Sequence, residues 1–417
     1  MKVLLSAFGF SPYRGSECAV GWNVACELAK LHDVTVITGD VRDSEFADEY
    51  ERYVIENGAV PRLNVVYIKP TRLIKLIERL HECPGLWSLY YLAYRQWQRL
   101  AFDMAKKLHA ARPFDVVHHV TMIGYREPGY MWKLGIPFFW GPIGGSVNEP
   151  IVYSSIYSKS ARVKAVMRFV INGFQKRFLL RPRIAAKTAR KIWAVSPADE
   201  ETIVKIWKCK CEQMIETAAT PSVDSKVHMW DGKGTFRIVW SGTHTYGKAL
   251  PILIKALGRL AVGDRCRYRV RVDVLGKGSE TEKWKTMAKE CGVDDSFNWI
   301  GYVPRNNALK IMNEAHCLVF TSVKEGTPHV VLESLSLGLP VLCHDACGMG
   351  VVVNEKCGIK IPMVSPKDSI EGFTAAIKLL IGVPGRIEEL SKGAIERAAQ
   401  LRWESKARKI SDAYESK

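Results

Sequence analysis

The apolar residues of this chain fall into short runs that alternate with stretches of helical spacing. In the first third of the chain these runs predict strands at residues 3–8, 34–38, 65–68, 116–118 and 137–140. Between the first two runs, residues 20–31 carry apolar side chains at the 3.6-residue period of an amphipathic helix. Continuous apolar strands separated by helices are typical of a parallel sheet that is covered on both faces. The pattern therefore predicts an α/β domain.

The same alternation begins again in the second half of the chain. Apolar runs predict strands at residues 237–240, 271–275, 298–300, 317–320 and 340–343, with helices near 250–260 and from about 330. Turn-forming residues cluster between the two series, at 220–222 and 232–234. We therefore predict two similar α/β domains, with an N-terminal domain over residues 1–215, a linker over 216–235 and a C-terminal domain over 236–395.

The composition is that of a globular protein with a substantial core. Apolar residues make up 47% and charged residues 25% of the 417 residues, which excludes a disordered chain. The most apolar stretch, residues 86–94, is far shorter than the roughly 20 residues that a helix needs to cross a bilayer. The eleven Cys are scattered and have no His cluster at zinc spacing beside them. We therefore predict reduced thiols in a cytoplasmic protein and no metal site.

Positive charge is concentrated in one segment. Residues 151–191 contain eleven Lys and Arg and no Asp or Glu, so this segment carries most of the net charge of +17. Its apolar residues fall on one face of a predicted helix, at Val163, Val166, Met167, Val170, Ile171, Phe174 and Phe178. Two interpretations stay open. Either the helix binds an anionic membrane surface with basic residues such as Arg162, Lys164 and Arg168, or its apolar face packs on the core and its basic face is solvated.

The sharpest local motif lies at residues 325–333, which begin and end with Glu. A predicted strand ends just before it, and a helix is expected to begin near Pro328 because proline suits the first helical turn. The amides of that turn and the helix dipole favour an anion such as a pyrophosphate. Glu325 before the helix and Glu333 inside it can accept hydrogen bonds from sugar and ribose hydroxyls. The motif therefore predicts a nucleotide-sugar that lies across a helix N-terminus.

Together with residues 338–341, this motif resembles that of the retaining family-four glycosyltransferases of the GT-B fold. Other landmarks of that family follow in the same order along nearly the whole chain, at residues 14–17, 115–118, 236–242, 248–250, 274–278 and 300–304. The resemblance implies a GT-B fold, with two facing Rossmann-like parallel-sheet domains and an interdomain cleft. It also implies that residues 396–417 form a closing helix that returns to the N-terminal, acceptor-binding domain.

The resemblance also implies a role for each matching position of a donor site. Lys248 would neutralise the donor diphosphate and Glu325 would contact the sugar hydroxyls, which makes both candidate catalytic residues. Glu333 would contact the ribose. The other implied donor-site positions are the β-phosphate-binding backbone around Pro328, His329 and Val330, the loop residues Gly15, Gly242, Thr243 and Gly276, and the base-flanking residues Gly301, Tyr302 and Val303.

Two positions depart from the family pattern. Thr243 and then His244 stand where the family usually has Arg, so the diphosphate charge would rest on Lys248 and the helix amides, with help from His244. The family often has His-x-His where this chain has His118 and His119 followed by Val. Successive strand residues point to opposite faces, so only one of these two candidate catalytic histidines is expected to reach the cleft, and which one stays open.

The sequence thus predicts a cytoplasmic glycosyltransferase of polysaccharide biosynthesis, located at the inner face of the membrane. It would move a hexose-type sugar, with retention, from a UDP- or GDP-sugar to a glycan or lipid-linked saccharide. The resemblance implies no metal, no other cofactor and no protein nucleophile, because the leaving phosphate helps to deprotonate the acceptor.

Two alternatives belong to other classes. A nucleotide-sugar epimerase or a phosphorylase could share this architecture, although an epimerase lacks the set of Lys248, Glu325 and Glu333. A basic nucleic-acid-binding protein is the second alternative. It is disfavoured because the basic residues concentrate in one segment and no zinc module or stacking platform is visible, so no nucleic-acid partner is predicted.

Overall fold

The chain folds into two α/β units, each built around one parallel sheet. The computed structural model describes residues 1–39, 45–81, 89–156, 159–260 and 269–416. The N-terminal unit comprises Met1–Ser146, Phe174–Thr217 and Trp403–Lys417, and the C-terminal unit comprises Val147–Gly173 and Ala218–Arg402. The predicted fold class, α/β with two Rossmann-like parallel sheets, is confirmed.

The sheet of the N-terminal unit has seven strands within the described residues, in the order β3-β2-β1-β4-β5-β6-β7, and all neighbours are parallel. The strands are β1 Lys2–Ala7, β2 Asp33–Gly39, β3 Leu63–Ile68, β4 Val116–Thr121, β5 Phe138–Ile143, β6 Lys191–Ala194 and β7 Glu212–Gln213. Every residue of β4 and β5 is buried. Burial on both faces is the reason that these strands read as continuous apolar runs in the sequence.

Helices pack against this sheet and against each other. They are Ser16–Ala29, Glu45–Asn57, Arg72–His81, Leu89–Ala111, Leu180–Thr188, Pro197–Glu201 and Trp403–Glu415, with a short 3-10 helix at Met131–Lys133 and a π-helix at Thr202–Ile206. The last helix is anchored by Lys406, whose Nζ donates to the carbonyl oxygens of Ile215, at 2.7 Å, and of Glu216. Burial lowers the pKa of Lys406 to about 7.

The sheet of the C-terminal unit has six parallel strands in the part of the chain that the structure describes, in the order β10-β9-β8-β11-β12-β13. They are β8 Thr235–Ser241, β9 Arg269–Leu275, β10 Phe297–Gly301, β11 Cys317–Phe320, β12 Val341–His344 and β13 Gly358–Ile361. The chain builds outward from β8 to β10 and then crosses to the other side of β8 at β11. Open α/β sheets bind ligands at the carboxyl ends of the strands where the order reverses in this way.

Helices also cover the C-terminal sheet. They are Leu250–Arg259, Thr281–Glu290, Arg305–Asn313, His329–Ser336, Cys347–Val352, Pro366–Gly382 and Arg386–Gln400, with short 3-10 helices at Ile151–Ile156, Tyr246–Lys248 and Asp294–Ser296. Helix Lys159–Phe178 is divided, with its residues up to Gly173 in this unit and the rest in the N-terminal unit. The core between sheet and helices includes the fully buried side chains of Phe236, Ile238 and Leu253.

The observed units differ from the predicted boundaries in one segment. Residues 147–173 group with the C-terminal unit, whereas the sequence assigned the whole basic segment 151–191 to the N-terminal domain. The short strands β6, β7 and β13 are not among the elements predicted from the sequence. Residues 157–158 of the basic segment and 86–88 of the apolar stretch lie outside the described residues.

Candidate functional site

The candidate site lies where β8 and β11 end, which we call the C-terminal switch point. Lys248 follows β8, and its Nζ donates a hydrogen bond to Oε1 of Glu325, which follows β11. Ser322 donates to the same oxygen at 3.0 Å. The side chains of Lys248 and Glu325 are 23% and 19% exposed, so the ion pair is shielded but accessible. The sequence separately predicted these two residues for a donor site, and the structure brings them together.

The loops that carry this ion pair are held by the core beneath them. The carbonyl oxygen of Lys248 accepts a hydrogen bond from Thr321 Oγ1 at 2.8 Å. Thr321 Oγ1 in turn accepts from Trp240 Nε1 at 3.0 Å, and Trp240 is buried in the C-terminal core. The ends of two adjacent strands are therefore fixed to each other, which preorganises the charged pair.

The helix that follows Glu325 begins at His329, so Pro328 is its N-cap rather than part of its first turn. Pro328 has φ −71° and ψ 123° and makes no side-chain capping bond. Its carbonyl oxygen accepts from Val331 N at 3.1 Å. His329 is exposed and Val330 is half-buried at the positive end of the helix dipole. The helix start next to Lys248 and Glu325 thus favours a negative ligand group.

Gly348 supports this loop and was not singled out from the sequence. Its amide donates to the carbonyl oxygen of Gly326 at 3.0 Å. A Cβ at position 348 would lie 2.3 Å from that oxygen, so no larger residue fits without moving the loop. The Gly-x-Gly of residues 348–350, just after β12, is the sequence feature that could have found it.

The second carboxylate of the motif has a cationic partner. Arg305 Nε donates to Oε1 of Glu333 at 2.6 Å, and the Arg305 and Glu333 side chains are 64% and 24% exposed. Arg305 directly follows the 300–304 landmark, but no local pattern predicts its pairing with a residue 28 positions later. Beside it, Tyr302 is 72% exposed, and Lys277 Nζ lies 5.8 Å from the centroid of its ring. Val303 is half-buried.

Three glycines, Gly242, Gly276 and Gly301, lie at the carboxyl ends of β8, β9 and β10, where backbone hydrogen bonds join neighbouring strands. Gly242 N donates to Leu275 O at 3.1 Å, and Gly276 N donates to Gly301 O at 2.8 Å. Gly276 has φ +110°, and a Cβ there would lie 2.0 Å from the Gly242 carbonyl oxygen. Only glycine permits this close approach of neighbouring strand ends. Thr243 is exposed in the loop that follows β8.

His244 does not supply the charge that the family's Arg would bring. It is 1% exposed and packs against Trp240, Trp284 and Trp299. Its Nδ1 lies 2.8 Å from Thr281 Oγ1, and burial lowers its pKa. His244 is therefore neutral and part of the core, and the expectation that it helps to carry the diphosphate charge is wrong.

In the N-terminal unit, Gly15 is the N-cap of helix Ser16–Ala29. It is exposed, has φ −80° and ψ −168°, and makes no side-chain capping bond. Glu17 lies in the first turn, where its Oε1 accepts from Ile123 N at 2.9 Å. Burial raises the pKa of Glu17. The structure thus places Gly15 at a helix start, and its predicted role in the donor site stays a prediction.

For His118, one of the two candidate histidines, the structure contradicts the predicted catalytic role. It is fully buried, its Nε2 donates to the Gly141 carbonyl oxygen at 2.8 Å, and its Nδ1 accepts from the Tyr414 hydroxyl at 2.6 Å. This tautomer follows from the partners, since a carbonyl can only accept. Burial lowers the pKa of His118 to about 3. Both nitrogens are committed within the core, so His118 is unsuited to substrate contact.

His119 is the remaining candidate of the pair. It is 1% exposed, and neither ring nitrogen makes a hydrogen bond of standard geometry with a described residue. Burial lowers the pKa of His119 to about 4, so it is neutral at physiological pH. A buried imidazole without a regular partner is unusual and keeps His119 as a candidate substrate-facing residue.

The basic helix Lys159–Phe178 exposes its apolar face. The exposed fractions are 59% for Val163, 57% for Met167, 62% for Val170, 62% for Phe174 and 61% for Phe178. The interpretation that this face packs on the core is therefore wrong. Arg162, Lys164 and Arg168 on the same helix are exposed as well.

Among the described residues, no helix combines the length and the hydropathy needed to cross a membrane. The same residues include no group of three or more His, Cys, Asp or Glu side chains that could hold a metal ion.

Comparison with known proteins agrees with the geometry of the C-terminal unit. Residues 231–398 match the family described as "Glycosyl transferases group 1". The D-inositol 3-phosphate glycosyltransferase of Kribbella flavida is 28% identical over 173 residues, which are 40% of this chain and 40% of that protein. The alignment thus spans less than half of that relative's length. The family predicted from the sequence motifs is confirmed for this region.

Solved structures share the fold over almost the whole chain. The apo form of the lipopolysaccharide outer core galactosyltransferase WaaB gives a TM-score of 0.65 at 14% identity and covers 99% of each chain. Anabaena Alr3699/HepE in complex with UDP gives a TM-score of 0.55 at 14% identity, over 99% of this chain and 98% of that one. At such low identity the similarity establishes the fold, which is the predicted GT-B fold.

Proposed function

We propose that this chain, whose residues 231–398 belong to the group 1 glycosyltransferases, transfers a hexose-type sugar from a UDP- or GDP-sugar to a glycan or lipid-linked saccharide. Transfer retains the anomeric configuration, and the product enters polysaccharide or cell-surface glycan biosynthesis. The observation that carries the proposal is the Lys248–Glu325 ion pair beside the uncapped start of helix His329–Ser336. The UDP complex of Alr3699/HepE, which shares the fold, is consistent with a nucleotide-sugar donor.

The ion pair changes partners when the donor arrives. The diphosphate competes with Glu325 for the ammonium group of Lys248, and the amides at the start of helix His329–Ser336 bind the other phosphate oxygens. Glu325 then accepts from a sugar hydroxyl while Ser322 holds its Oε1 in position. Lys248 and the helix dipole stabilise the charge that develops on the leaving diphosphate, which lowers the barrier for breaking the glycosyl bond.

The nucleoside end of the donor lies along the neighbouring strand ends. Arg305 orients Glu333, whose carboxylate accepts from the ribose hydroxyls. The backbone of Gly301, Tyr302 and Val303 flanks the base. Because these contacts fix the nucleotide at a distance from the reacting carbon, their binding energy positions the sugar for attack.

Transfer needs one bond to form and one to break on the same face of the sugar. The acceptor oxygen bonds to the anomeric carbon as the bond from that carbon to the diphosphate oxygen breaks. The acceptor proton passes to the departing phosphate, so neither a protein nucleophile nor a metal ion takes part. The protein contributes charge stabilisation and orientation.

The exposed apolar face of helix Lys159–Phe178 supports association of the enzyme with an anionic membrane surface, on the cytoplasmic side where nucleotide-sugars are available. Its apolar residues can enter the boundary of the lipid layer, while Arg162, Lys164 and Arg168 attract anionic headgroups. Such a surface would concentrate the enzyme near a lipid-linked acceptor.

Thermal unfolding with a panel of UDP- and GDP-sugars tests the donor. A binding donor raises the unfolding temperature through mass action, and Lys248→Ala should abolish the shift. Lys255→Ala, on an exposed residue of helix Leu250–Arg259, is the control and should keep it. If no UDP- or GDP-sugar stabilises the wild-type chain, the donor assignment is wrong.

The reaction itself is tested with the stabilising donor and a panel of saccharide acceptors. NMR of the product should show the donor's anomeric configuration, and activity should persist in EDTA. A sugar that changes configuration while still attached to the nucleotide would indicate an epimerase instead.

A further inference from the structure

A buried carboxylate lies between the exposed basic helix and the loop of the candidate donor site. The side chain of Glu149 is only 8% exposed. Arg168 of helix Lys159–Phe178 approaches its Oε1 to 3.5 Å, and Lys324 of the donor-site loop approaches the same oxygen to 4.0 Å. All three residues belong to the C-terminal unit.

The bonding of this carboxylate is incomplete. An ionised carboxylate can accept about four hydrogen bonds, and a charge-assisted bond is ordinarily about 2.7–2.9 Å long. Both cations stand beyond that distance, and Oε2 of Glu149 has no hydrogen-bond partner among the described residues. A buried charged oxygen without a donor is unfavourable, so a closer approach by either cation stabilises Glu149.

The two cations lie in different functional regions, Arg168 on the proposed membrane-binding helix and Lys324 in the loop of the proposed donor site. Arg168 is 56% exposed on the helix whose apolar face is open to solvent. Lys324 directly precedes Glu325, whose carboxylate pairs with Lys248 at the C-terminal switch point. The loop of Glu149 is fixed to the basic helix by a second bond, from Asn172 Nδ2 to Asn148 Oδ1 at 2.7 Å, so it does not drift away from either partner.

We propose that Glu149 is a positioning residue that couples anionic lipid binding by Arg168 to ordering of the donor-site loop through Lys324. This inference rests on the proposed function. When a lipid phosphate binds Arg168, Glu149 loses this cation and forms a closer ion pair with Lys324. That contact fixes the loop that carries Glu325, and the nucleotide binds more tightly. By linkage, the nucleotide raises the affinity for the lipid surface by the same factor.

The test measures the affinity of the full-length chain for UDP or GDP, whichever binds, by titration calorimetry. Each titration is run without vesicles, with phosphatidylcholine vesicles, and with vesicles that also contain phosphatidylglycerol. Anionic vesicles should tighten nucleotide binding of the wild type about fivefold, the lower end of ordinary coupling between sites. Phosphatidylcholine alone should have no effect.

Three variants separate coupling from structural damage. Arg168→Gln mimics the lipid-engaged state, so it should bind nucleotide about fivefold more tightly without vesicles and show no further gain with them. Glu149→Gln should bind at the vesicle-free wild-type level under all conditions. Lys255→Gln is the charge-matched control, because Lys255 is exposed on helix Leu250–Arg259, outside the basic helix and away from Glu149. At saturating vesicle concentration it should keep the wild-type gain.

The outcomes distinguish this inference from the proposed function. If wild type binds both nucleotide and anionic vesicles but the two do not affect each other, only the inference is overturned. A vesicle-dependent gain that persists in Glu149→Gln or Arg168→Gln overturns it as well. Failure to bind any nucleotide contradicts the proposed donor, and failure to bind anionic vesicles removes both the membrane role and the coupling. Inorganic phosphate that gives the same gain without vesicles would assign Arg168 to a soluble anion.

Should Glu149→Gln fail to fold, as judged by its thermal unfolding, the exposed Arg168→Gln variant decides the matter alone. A structural role of Arg168 would weaken nucleotide binding or leave it unchanged, whereas release of Glu149 strengthens it. The sign of the vesicle-free change is therefore the decisive measurement.

Discussion

The two sheets have the same strand order around their first strand, and the ends of their central strands can be compared directly. In the C-terminal unit, Thr321 after β11 bonds to the carbonyl of Lys248 in the loop after β8. In the N-terminal unit, Thr121 at the end of β4 bonds to the carbonyl of Gly9, in the loop after β1, at 3.3 Å. One threonine thus ties the two loops together in each unit.

The charges at these two places differ. In the C-terminal unit a carboxylate after β11 pairs with a cation after β8. In the N-terminal unit the nearby carboxylate, Glu17, is half-buried and accepts a hydrogen bond from a backbone amide, Ile123 N. The strand between them carries neutral histidines. The same architecture therefore holds an accessible ion pair in one unit, and a half-buried carboxylate with neutral, buried histidines in the other. Strand order therefore determines where a ligand can bind, and the side chains at the strand ends determine which unit can bind an anion.

Loss of the cation at the C-terminal switch point should have the largest effect. Lys248→Ala removes the charge that stabilises the leaving diphosphate, so kcat/KM for sugar transfer should fall about 100- to 1000-fold, or about 2.7–4 kcal/mol. Steady-state kinetics with the donor found by thermal screening provides the measurement. Lys255→Ala should retain wild-type kinetics. A loss below tenfold for Lys248→Ala would place the anion site elsewhere.

The second carboxylate of the same site should have a smaller effect. Glu333→Ala should weaken nucleotide-sugar binding by about 1.5–3 kcal/mol, the range for hydrogen bonds that involve a charged group. Titration calorimetry measures this change, with Glu314→Ala as an exposed control whose carboxylate pairs with Arg237. Unchanged affinity in Glu333→Ala would remove the ribose role.

The N-terminal network should affect stability and leave nucleotide binding intact. Tyr414→Phe removes the hydroxyl that donates to His118 Nδ1, and a buried acceptor left without its donor costs about 1–3 kcal/mol. The thermal unfolding temperature should fall accordingly, while Tyr91→Phe, on an exposed side chain, should leave it unchanged. Reduced nucleotide affinity of the folded Tyr414→Phe variant would show that the His118 network also contributes to nucleotide binding.

The buried histidines of β4 should make the fold sensitive to mild acid. Burial lowers the pKa of His119 to about 4, whereas an unfolded histidine titrates near 6.5, so only the unfolded chain takes up the proton in between. Stability is therefore complete above pH 6.5 and is lost as the pH falls toward 4, by about 1 kcal/mol per histidine between pH 6.5 and 5.5. Urea unfolding of wild type and His119→Gln at these two pH values provides the measurement. Equal pH slopes in the two proteins would contradict the assignment.

Much of the fold and part of the site follow from local sequence. The long strands are buried on both faces, so their apolar runs stand out in the sequence. Lys248 and Glu325 were assigned to a donor site by the family resemblance of their motifs. That the two residues meet follows from the pairing of β8 with β11, because parallel neighbours end at the same edge of a sheet.

The remainder depends on partners far away in the chain. The role of His118 is decided by Tyr414, 296 positions later. Three Trp side chains bury His244 only in the folded unit, and this burial lowers its pKa. Whether the apolar face of helix Lys159–Phe178 is covered is likewise a property of the whole fold, and its amphipathic pattern alone fits both outcomes.

The anchoring of helix Trp403–Glu415 has a consequence for synthesis on the ribosome. Lys406 and Tyr414 complete the N-terminal unit, yet they are translated after every residue of the C-terminal unit. Until the C-terminal unit has been translated, His118 lacks its bond from Tyr414, and the carbonyl oxygens of residues 215–217 lack their bonds from Lys406. Completion of the N-terminal unit therefore follows translation of the C-terminal unit.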